Sequence, residues 1–364
     1  MTKRFNMANF EINKSVQVGD TSNADLIRTA NILRDIGKNP IVTTEFSVGQ
    51  DGILCGIDES IQLLQHITQN PNVEIWTMRE GEEIYKGDVI MRIKSPYSPF
   101  AIYQTALSGI LSSCSGWATA ANECVNVADN IPVVNFGASN IHPNIVGLMD
   151  YSSIVGGCSG CSSILGSRMN NQTPVGGMSD SLVLIHGDVV DATSSLINKG
   201  DRNVPVVILV GVLGDEIEEA IRVASEFPIR GIRIEPPEGR GGLKPDLIVE
   251  LRERLDQIGK EEIDISINCD IAPDDIVELI KFEDNWLDSK SLNNDLDDDN
   301  ERIKKRRLIQ VIGVGRFIAS ASPFKIHANI KEIDGNFVSK RGIIPGYTQN
   351  KRLERIKIRK QVTH

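Results

Sequence analysis

A chain of 364 residues, 40% hydrophobic and 24% charged, exceeds twice the usual single-domain length of about 150 and carries enough apolar material for a sizeable core. Its net charge of −10 argues against nucleic-acid or anionic-membrane partners, which need basic fields. Its apolar runs fall short of the ~20 residues of a membrane span, and Met1–Asp20 lacks the apolar core of a secretory signal, so the expected location is the cytoplasm, with cysteines reduced.

The helical spacing of Ile27, Ala30 and Leu33 predicts a first helix from about Asn23 to Gly37. Ile41–Phe46 reads as a short β-branched strand, and Ile57, Ile61, Leu64 and Ile67 share one face of a helix over Gly56–Ile67. Val73–Met78 and Glu83–Ile93 alternate as short strands, with turns at Glu80-Gly81 and Lys86-Gly87. A helix rich in small residues runs from Tyr103 to about Asp129. Strand-like segments then recur at Pro132–Phe136, Ser153–Val155, Val204–Val210, Gly231–Glu235, Asp264–Asn268 and Leu308–Val314. Helical patterns at Asp215–Phe227, Pro245–Ile258 and Pro273–Lys281 separate the later ones. Strands alternating with amphipathic helices imply an α/β fold with a parallel sheet, and this many repeats favour a barrel over an open sheet.

Three further segments invite a reading. Cys158-Ser159-Gly160-Cys161 is a CxxC without a second pair or a nearby histidine, and reads as small residues packed inside a barrel strand. The polar run 284–307 has little to bury and reads as a flexible surface insertion. Lys351–Lys360 reads as a solvated basic helix face.

In a βα barrel the active site lies at the C-terminal strand ends, and phosphate commonly sits on backbone N–H groups of the last two βα loops. Gly313 and Gly315 lie at a late strand end, where glycine lets the backbone approach an anion. Asn268-Cys269-Asp270 ends the strand before, but Asp270 brings negative charge to that place. Arg233 and Glu235, two apart on one strand, point the same way; Glu235 is a candidate to hold Mg²⁺ or to face a cationic sugar centre. His142 follows another strand end and is open to three roles: ligand, hydrogen-bond donor or cap. Gly156-Gly157, after Ser153–Val155, marks a further close backbone approach.

Several segments together resemble the nicotinate phosphoribosyltransferase family in its short archaeal and bacterial form. They are Asp51–Gly56, Phe136-Gly137 with His142-Pro143, Gly156-Gly157-Cys158, Gly231–Glu235, Gly313-Val314-Gly315, and Lys340-Arg341-Gly342 through Pro345-Gly346. The resemblance implies an N-terminal α/β sandwich (1–110), an irregular parallel β/α barrel (111–330, with the insertion 284–307) and a C-terminal tail (331–364) packing back on the first domain. It also implies a homodimer. The implied reaction joins nicotinate, or a related small base, to phosphoribosyl pyrophosphate, yielding the mononucleotide and pyrophosphate in NAD biosynthesis, with Mg²⁺ and with ATP as a candidate cosubstrate. Carried over position by position, Arg28, Ser139, His142, Gly156, Gly157, Arg233, Asn268, Gly313 and Gly315 would contact substrate or phosphate. Glu235 would be catalytic and hold Mg²⁺, and Asp180 stands where the family has a catalytic histidine.

The departures all bear on one reaction. Thr21-Ser22-Asn23-Ala24-Asp25 lacks the family's aromatic platform, Ser139 replaces an arginine, Asp180 the histidine, and Asn268-Cys269-Asp270 a Ser-Gly-Gly phosphate cradle. A carboxylate does not replace imidazole at neutral pH without a large pKa shift. The alternative expectation is therefore a non-catalytic homologue that binds a nucleotide or an active partner subunit.

Overall fold

The computed structural model describes residues 10–65, 73–292 and 307–356. The chain divides into two compact units, one made of Met1–Ala120, Tyr151–Gly156 and Ala321–His364, the other of Ala121–Asp150 and Gly157–Ser320. Among the described residues no helix is long and apolar enough to cross a membrane.

The first unit begins with helices α1 (Lys14–Gln17) and α2 (Ala24–Asp35), followed by strands β1 (Ile41–Val48) and β2 (Gly52–Ile53) and helix α3 (Ile57–Leu64). Strands β3 (Glu74–Thr77), β4 (Glu83–Ile84) and β5 (Val89–Pro96) lead into the long helix α4 (Tyr97–Val127). Strands β12 (Ile326–Ile333), β13 (Asn336–Phe337) and β14 (Glu354–Arg355) return to it from the chain's end. Six of these strands form an antiparallel sheet in the order β13-β12-β1-β5-β3-β14. Phe46, Ile75, Met91 and Ile93 are buried in one apolar cluster with Leu63 and Leu64 of α3 and Phe100, Leu107 and Leu111 of α4. Burying each such side chain contributes on the order of 2 kcal/mol, so a helix layer on one sheet face yields an α/β sandwich.

Polar residues of the same sheet receive the tail. Arg92 pairs with Glu45 at 2.6 Å, and its guanidinium also donates to Thr348 O (2.9 Å) and lies 4.5 Å from the Tyr347 ring centroid. Thr348 N donates to Glu45 (3.2 Å), and β14 pairs with edge strand β3. The basic segment expected as a helix face holds, in its described part (351–356), a turn and the two-residue strand β14. Arg352 stacks near Tyr85 and Arg355 near Trp76, giving both cations aromatic and acidic partners that a free helix would not supply. Residues 357–360 of that segment lie outside the described residues.

The second unit alternates strands and helices: β6 (Val133–Asn135), α5 (Val146–Val155), β7 (Gly160–Cys161), α6 (Ile164–Met169), α7 (Asp180–His186) and α8 (Val189–Lys199). Then come β8 (Val207–Val210), α9 (Glu216–Glu226), β9 (Gly231–Ile234), α10 (Pro245–Gln257), β10 (Asp264–Asn268), α11 (Pro273–Leu292), β11 (Val311–Val314) and α12 (Arg316–Ala319). The six strands form a parallel sheet in the order β7-β6-β11-β10-β9-β8. Helix α9 shows why the pattern was readable. Asp215 caps it by accepting from Ile217 N (2.9 Å) and Glu218 N (3.2 Å), and Ile217, Ala220, Val223 and Ala224 are buried along one stripe.

The sheet edges meet through an irregular segment. Val175 N donates to Cys161 O of β7 (2.9 Å), and Met178 N donates to Val207 O of β8 (3.0 Å). No side chain fits between them: a Cβ on Gly177 would stand 2.6 Å from Val207 O. The barrel is therefore closed by single bonds rather than by a ladder, which is what makes it irregular.

Two expectations are corrected. Ser153–Val155 is not a strand but the last turn of α5, where Tyr151, Ser152 and Ser153 are buried; the β-branched pair Ile154-Val155 imitates a strand, but small serines suit helix packing. The strand comes later, at Gly160–Cys161 in the CxxC segment, where Cys158 and Cys161 are buried and not joined in a disulfide. Burial pushes the Cys161 thiol up to about 11, which makes it inert. The insertion expected from 284 starts later, because α11 continues to Leu292. Phe282 and Trp286 give this stretch an inward face, and buried Glu283 accepts from Ile309 N (3.1 Å) and pairs with Arg307 (3.0 Å). Residues 293–306 lie outside the described residues.

Candidate functional site

Parallel register places residues of successive strands in rows across the second unit's sheet. Leu209, Arg233, Ser266 and Val311 form one row; Asn268, Gly313 and Val134 form the next toward the C-terminal ends. Glu235, two residues beyond Arg233, emerges on the same face at that level.

These side chains meet. Arg233 Nε lies 2.8 Å from Glu235 Oε1 as an ion pair, and its Nη2 donates to Met178 O (3.0 Å). Asn268 Nδ2 donates to the same Glu235 Oε1 at 2.6 Å. The arginine side chain is 13% exposed and the glutamate 30%, so a nearly buried cation supports a carboxylate that opens outward. Glu235 lines a cavity of about 450 Å³, together with Glu238, Asn268, Cys269, Asp270 and Asp275. Every charged residue on that lining, Glu278 included, is acidic. Burial and the Glu235 charge push the Cys269 thiol up to about 12, which keeps it protonated and excludes it as a nucleophile.

Gly313 is demanded by packing. A Cβ there would stand 2.7 Å from Asn268 Oδ1 and 2.9 Å from the Phe136 ring. The missing side chain makes the room in which the Asn268 amide reaches Glu235. Gly315 caps α12 and lies close to Asn140 and to Phe136 O. Just beyond it, Arg316 forms an ion pair with Asp270 at the end of the neighbouring strand. Sequence reasoning passed over Arg316; the available signal was a basic residue directly after Gly-Val-Gly at a strand's C-terminal end.

The loop after β6 faces the same end. Asn135 Oδ1 accepts from Gly137 N (2.9 Å), and Asn135 Nδ2 donates to Asp150 Oδ1 (2.9 Å). Asp150 is fully buried and also accepts from Ser163; burial pushes its carboxyl up to about 6. This network fixes the turn that carries Ser139, which is exposed. His142 is exposed, and its Nδ1 accepts from Asn144 N (3.2 Å); of its three open roles, capping is the one present.

Asp180 is the exposed first residue of α7, and its carboxylate accepts from Ser181 N (2.7 Å), a placement that suits the helix dipole. Gly156 and Gly157 connect α5 to the start of β7, the strand end opposite the cavity. Gly157 is required there by its φ of 111°, so these glycines serve a chain reversal rather than an anion cradle, because the segment before them is helical. Arg28 is exposed on α2 of the first unit.

Magnesium is compatible with the donors present. Glu235 Oε1 carries the contacts to Arg233 and Asn268, and the glutamate side chain is 30% exposed. Mg²⁺ needs only one or two carboxylates when substrate phosphates and waters complete its shell. Among the described residues no group of three or more metal-binding side chains is assembled in advance.

Comparison with known proteins bears on this geometry. The profile described as quinolinate phosphoribosyl transferase, N-terminal domain, matches residues 26–115. The nicotinate-nucleotide pyrophosphorylase of Pyrococcus furiosus has a similar structure, with a TM-score of 0.80 and 28% identity, over 98% of this chain and 86% of that one. The likeness is thus to nicotinate and quinolinate phosphoribosyltransferases, in structure over nearly the whole chain and in sequence over part of it. The nicotinate phosphoribosyltransferase of Bacillus subtilis is 25% identical over 209 residues, 56% of this chain and 42% of that protein. The chain thus spans less than half the length of the curated relatives it matches. Human nicotinic acid phosphoribosyltransferase shares the fold, with a TM-score of 0.64 and 13% identity, over 90% of this chain and 77% of that one. That likeness covers the sandwich-plus-barrel plan; the Asn268–Glu235 and Asp270–Arg316 contacts are read from this chain's own residues.

Proposed function

We propose that the protein is a phosphoribosyltransferase of NAD biosynthesis that joins a pyridine carboxylate, nicotinate or quinolinate, to phosphoribosyl pyrophosphate. The observation that carries this reading is the Arg233–Glu235–Asn268 assembly, of which Glu235 and Asn268 line a cavity of about 450 Å³ on the C-terminal strand ends. In the reaction the C1–O bond to pyrophosphate breaks, its electrons leaving with the oxygen, and the pyridine nitrogen lone pair forms the new N–C1 bond. Positive charge develops at C1 on the way, and a fixed carboxylate facing it stabilises that charge. Asn268 and Arg233 hold Glu235 in one orientation, so little reorganisation is needed as the charge appears.

Glu235, with the donor's phosphates, would hold Mg²⁺, whose positive charge would neutralise the leaving pyrophosphate. Ser139 and His142 would serve as exposed polar contacts for substrate anions, Gly313 and Gly315 as the close backbone, and a homodimer would complete the site. ATP coupling through Asp180 would need its carboxylate to accept phosphate, an arm tested by ADP release. The second reading, a non-catalytic homologue, is favoured by one observation: the cavity lining carries five carboxylates and no cation, a poor surface for a polyphosphate without metal.

Titration calorimetry of the full chain with phosphoribosyl pyrophosphate and Mg²⁺, followed by a pyrophosphate-release assay with nicotinate and quinolinate, tests both. Binding followed by pyrophosphate release with either base supports the enzyme. Binding without release supports the non-catalytic reading, and no binding at millimolar donor overturns both.

A further inference from the structure

We propose that Arg316 is the side chain that receives the 5′-phosphate of the sugar donor, and that Asp270 is a built-in counter-ion which the phosphate displaces. This inference rests on the phosphoribosyl reading above and assigns the phosphate end of that site.

Three observations converge on the pair. First, β11 and β10 are neighbours in register, with Asn268 opposite Gly313, so Asp270 and Arg316 leave adjacent strand ends two and three residues further on. There they form an ion pair. Second, two of the other cations near these strand ends are committed. Arg233 is held by Glu235 and Met178 O, and Arg240 pairs with Glu216 at 3.0 Å. Arg316, in contrast, is 66% exposed and its carboxylate partner 39%. An exposed pair of this kind is weak and exchangeable. Third, α12 has four residues, too few to offer a helix terminus as the anion site, and Asp270 removes the donor-only character of the loop beside it. Anion binding at this end therefore falls to the guanidinium.

Chemistry favours the exchange. A guanidinium forms parallel, charge-assisted bonds with a phosphate dianion that are stronger than those to a single solvated carboxylate. Asp270 then acts as a competitor covalently attached to the protein. While it holds Arg316, apparent phosphate affinity falls in proportion to the fraction of free guanidinium. The pair also keeps a lone exposed arginine from recruiting other anions, so it tunes selectivity as well as affinity.

The test is calorimetric titration of the full-length protein with ribose 5-phosphate, with ribose as the probe lacking phosphate, for wild type, Arg316→Gln, Arg316→Lys and Asp270→Asn. Thermal melts establish that each variant is folded. Wild type should bind ribose 5-phosphate more tightly than ribose. Arg316→Gln should weaken ribose 5-phosphate on the order of 10-fold or more, Arg316→Lys less, and Asp270→Asn should tighten it about 3- to 10-fold. Ribose should respond to none of them. Unchanged ribose 5-phosphate affinity in Arg316→Gln, or in Asp270→Asn, overturns the proposal, as does equal binding of the two sugars by wild type. The pyrophosphate-release assay separates this from the proposed function. Arg316-dependent binding without transfer keeps the phosphate assignment and removes the enzyme, whereas transfer unaffected by Arg316→Gln does the reverse.

Discussion

Asn268 shows how one amide can decide what a carboxylate does. Its 2.6 Å bond to Glu235 Oε1 fixes the carboxylate's direction, while Gly313 leaves the amide the space to do so. Asn268→Ala should lower kcat on the order of 10-fold, with KM for the sugar donor nearly unchanged. Glu235→Gln should cost on the order of 10²–10³ in kcat. Gly313→Ala should reproduce the Asn268→Ala kinetics, since the new Cβ displaces that amide, and should cost about 1–3 kcal/mol of stability by overpacking. Denaturant melts alongside steady-state kinetics check both.

Helix α3 illustrates an element held by a distant acid. Glu80 accepts from Gly56 N (2.8 Å) and Ile57 N (2.7 Å), capping the helix from across the first unit's fold. Burial, and then the nearby Asp58 charge, push its carboxyl up to about 7, and burial does the same to Glu59. Folded pKa values above the unfolded ~4.5 mean that the native state binds more protons between the two. The contribution to stability is thus fully present below about pH 4.5 and is lost as pH rises through about 7. Thermal unfolding of the first unit should occur higher at pH 5 than at pH 8, by on the order of 5 °C. Glu80→Gln should flatten that dependence. A melting temperature that rises from pH 5 to pH 8 would show these acids to be ionised when folded. Asp150, pushed up to about 6 by burial, acts in the same direction in the second unit, so Asp150→Asn should flatten the profile between about pH 4 and 6.

Across the whole molecule, chain ends complete what the middle begins. The tail supplies β14 to the edge of β3 and sets Tyr347 and Thr348 on the Glu45–Arg92 pair. Truncation before Gly346 should leave edge strand β3 unpaired and strip two partners from a nearly buried ion pair. The expected outcome is a fall of several degrees in the first unit's melting temperature, with concentration-dependent association in light scattering. Unchanged melting would mean that the tail contributes nothing beyond its own order. Much of this architecture was legible from local pattern: Ile41–Phe46, the α9 stripe with its Asp215 cap, and the strands ending at Glu235, Asn268 and Val314 all announce themselves by period and by turn residues. Ser153–Val155 was misread because two β-branched residues outweigh a helix whose evidence is burial of serines around it. Gly156-Gly157 followed that error to the wrong end of a strand. By itself, then, the sequence determined the alternation of elements, the two-part plan and the residues able to do chemistry, because periodicity and side-chain chemistry are local properties. Only the tertiary structure decided which of them meet. Asn268 reaches Glu235, and Asp270 reaches Arg316, because β10 lies between β9 and β11 in a set register, and strand order is a property of long-range packing that no local pattern records.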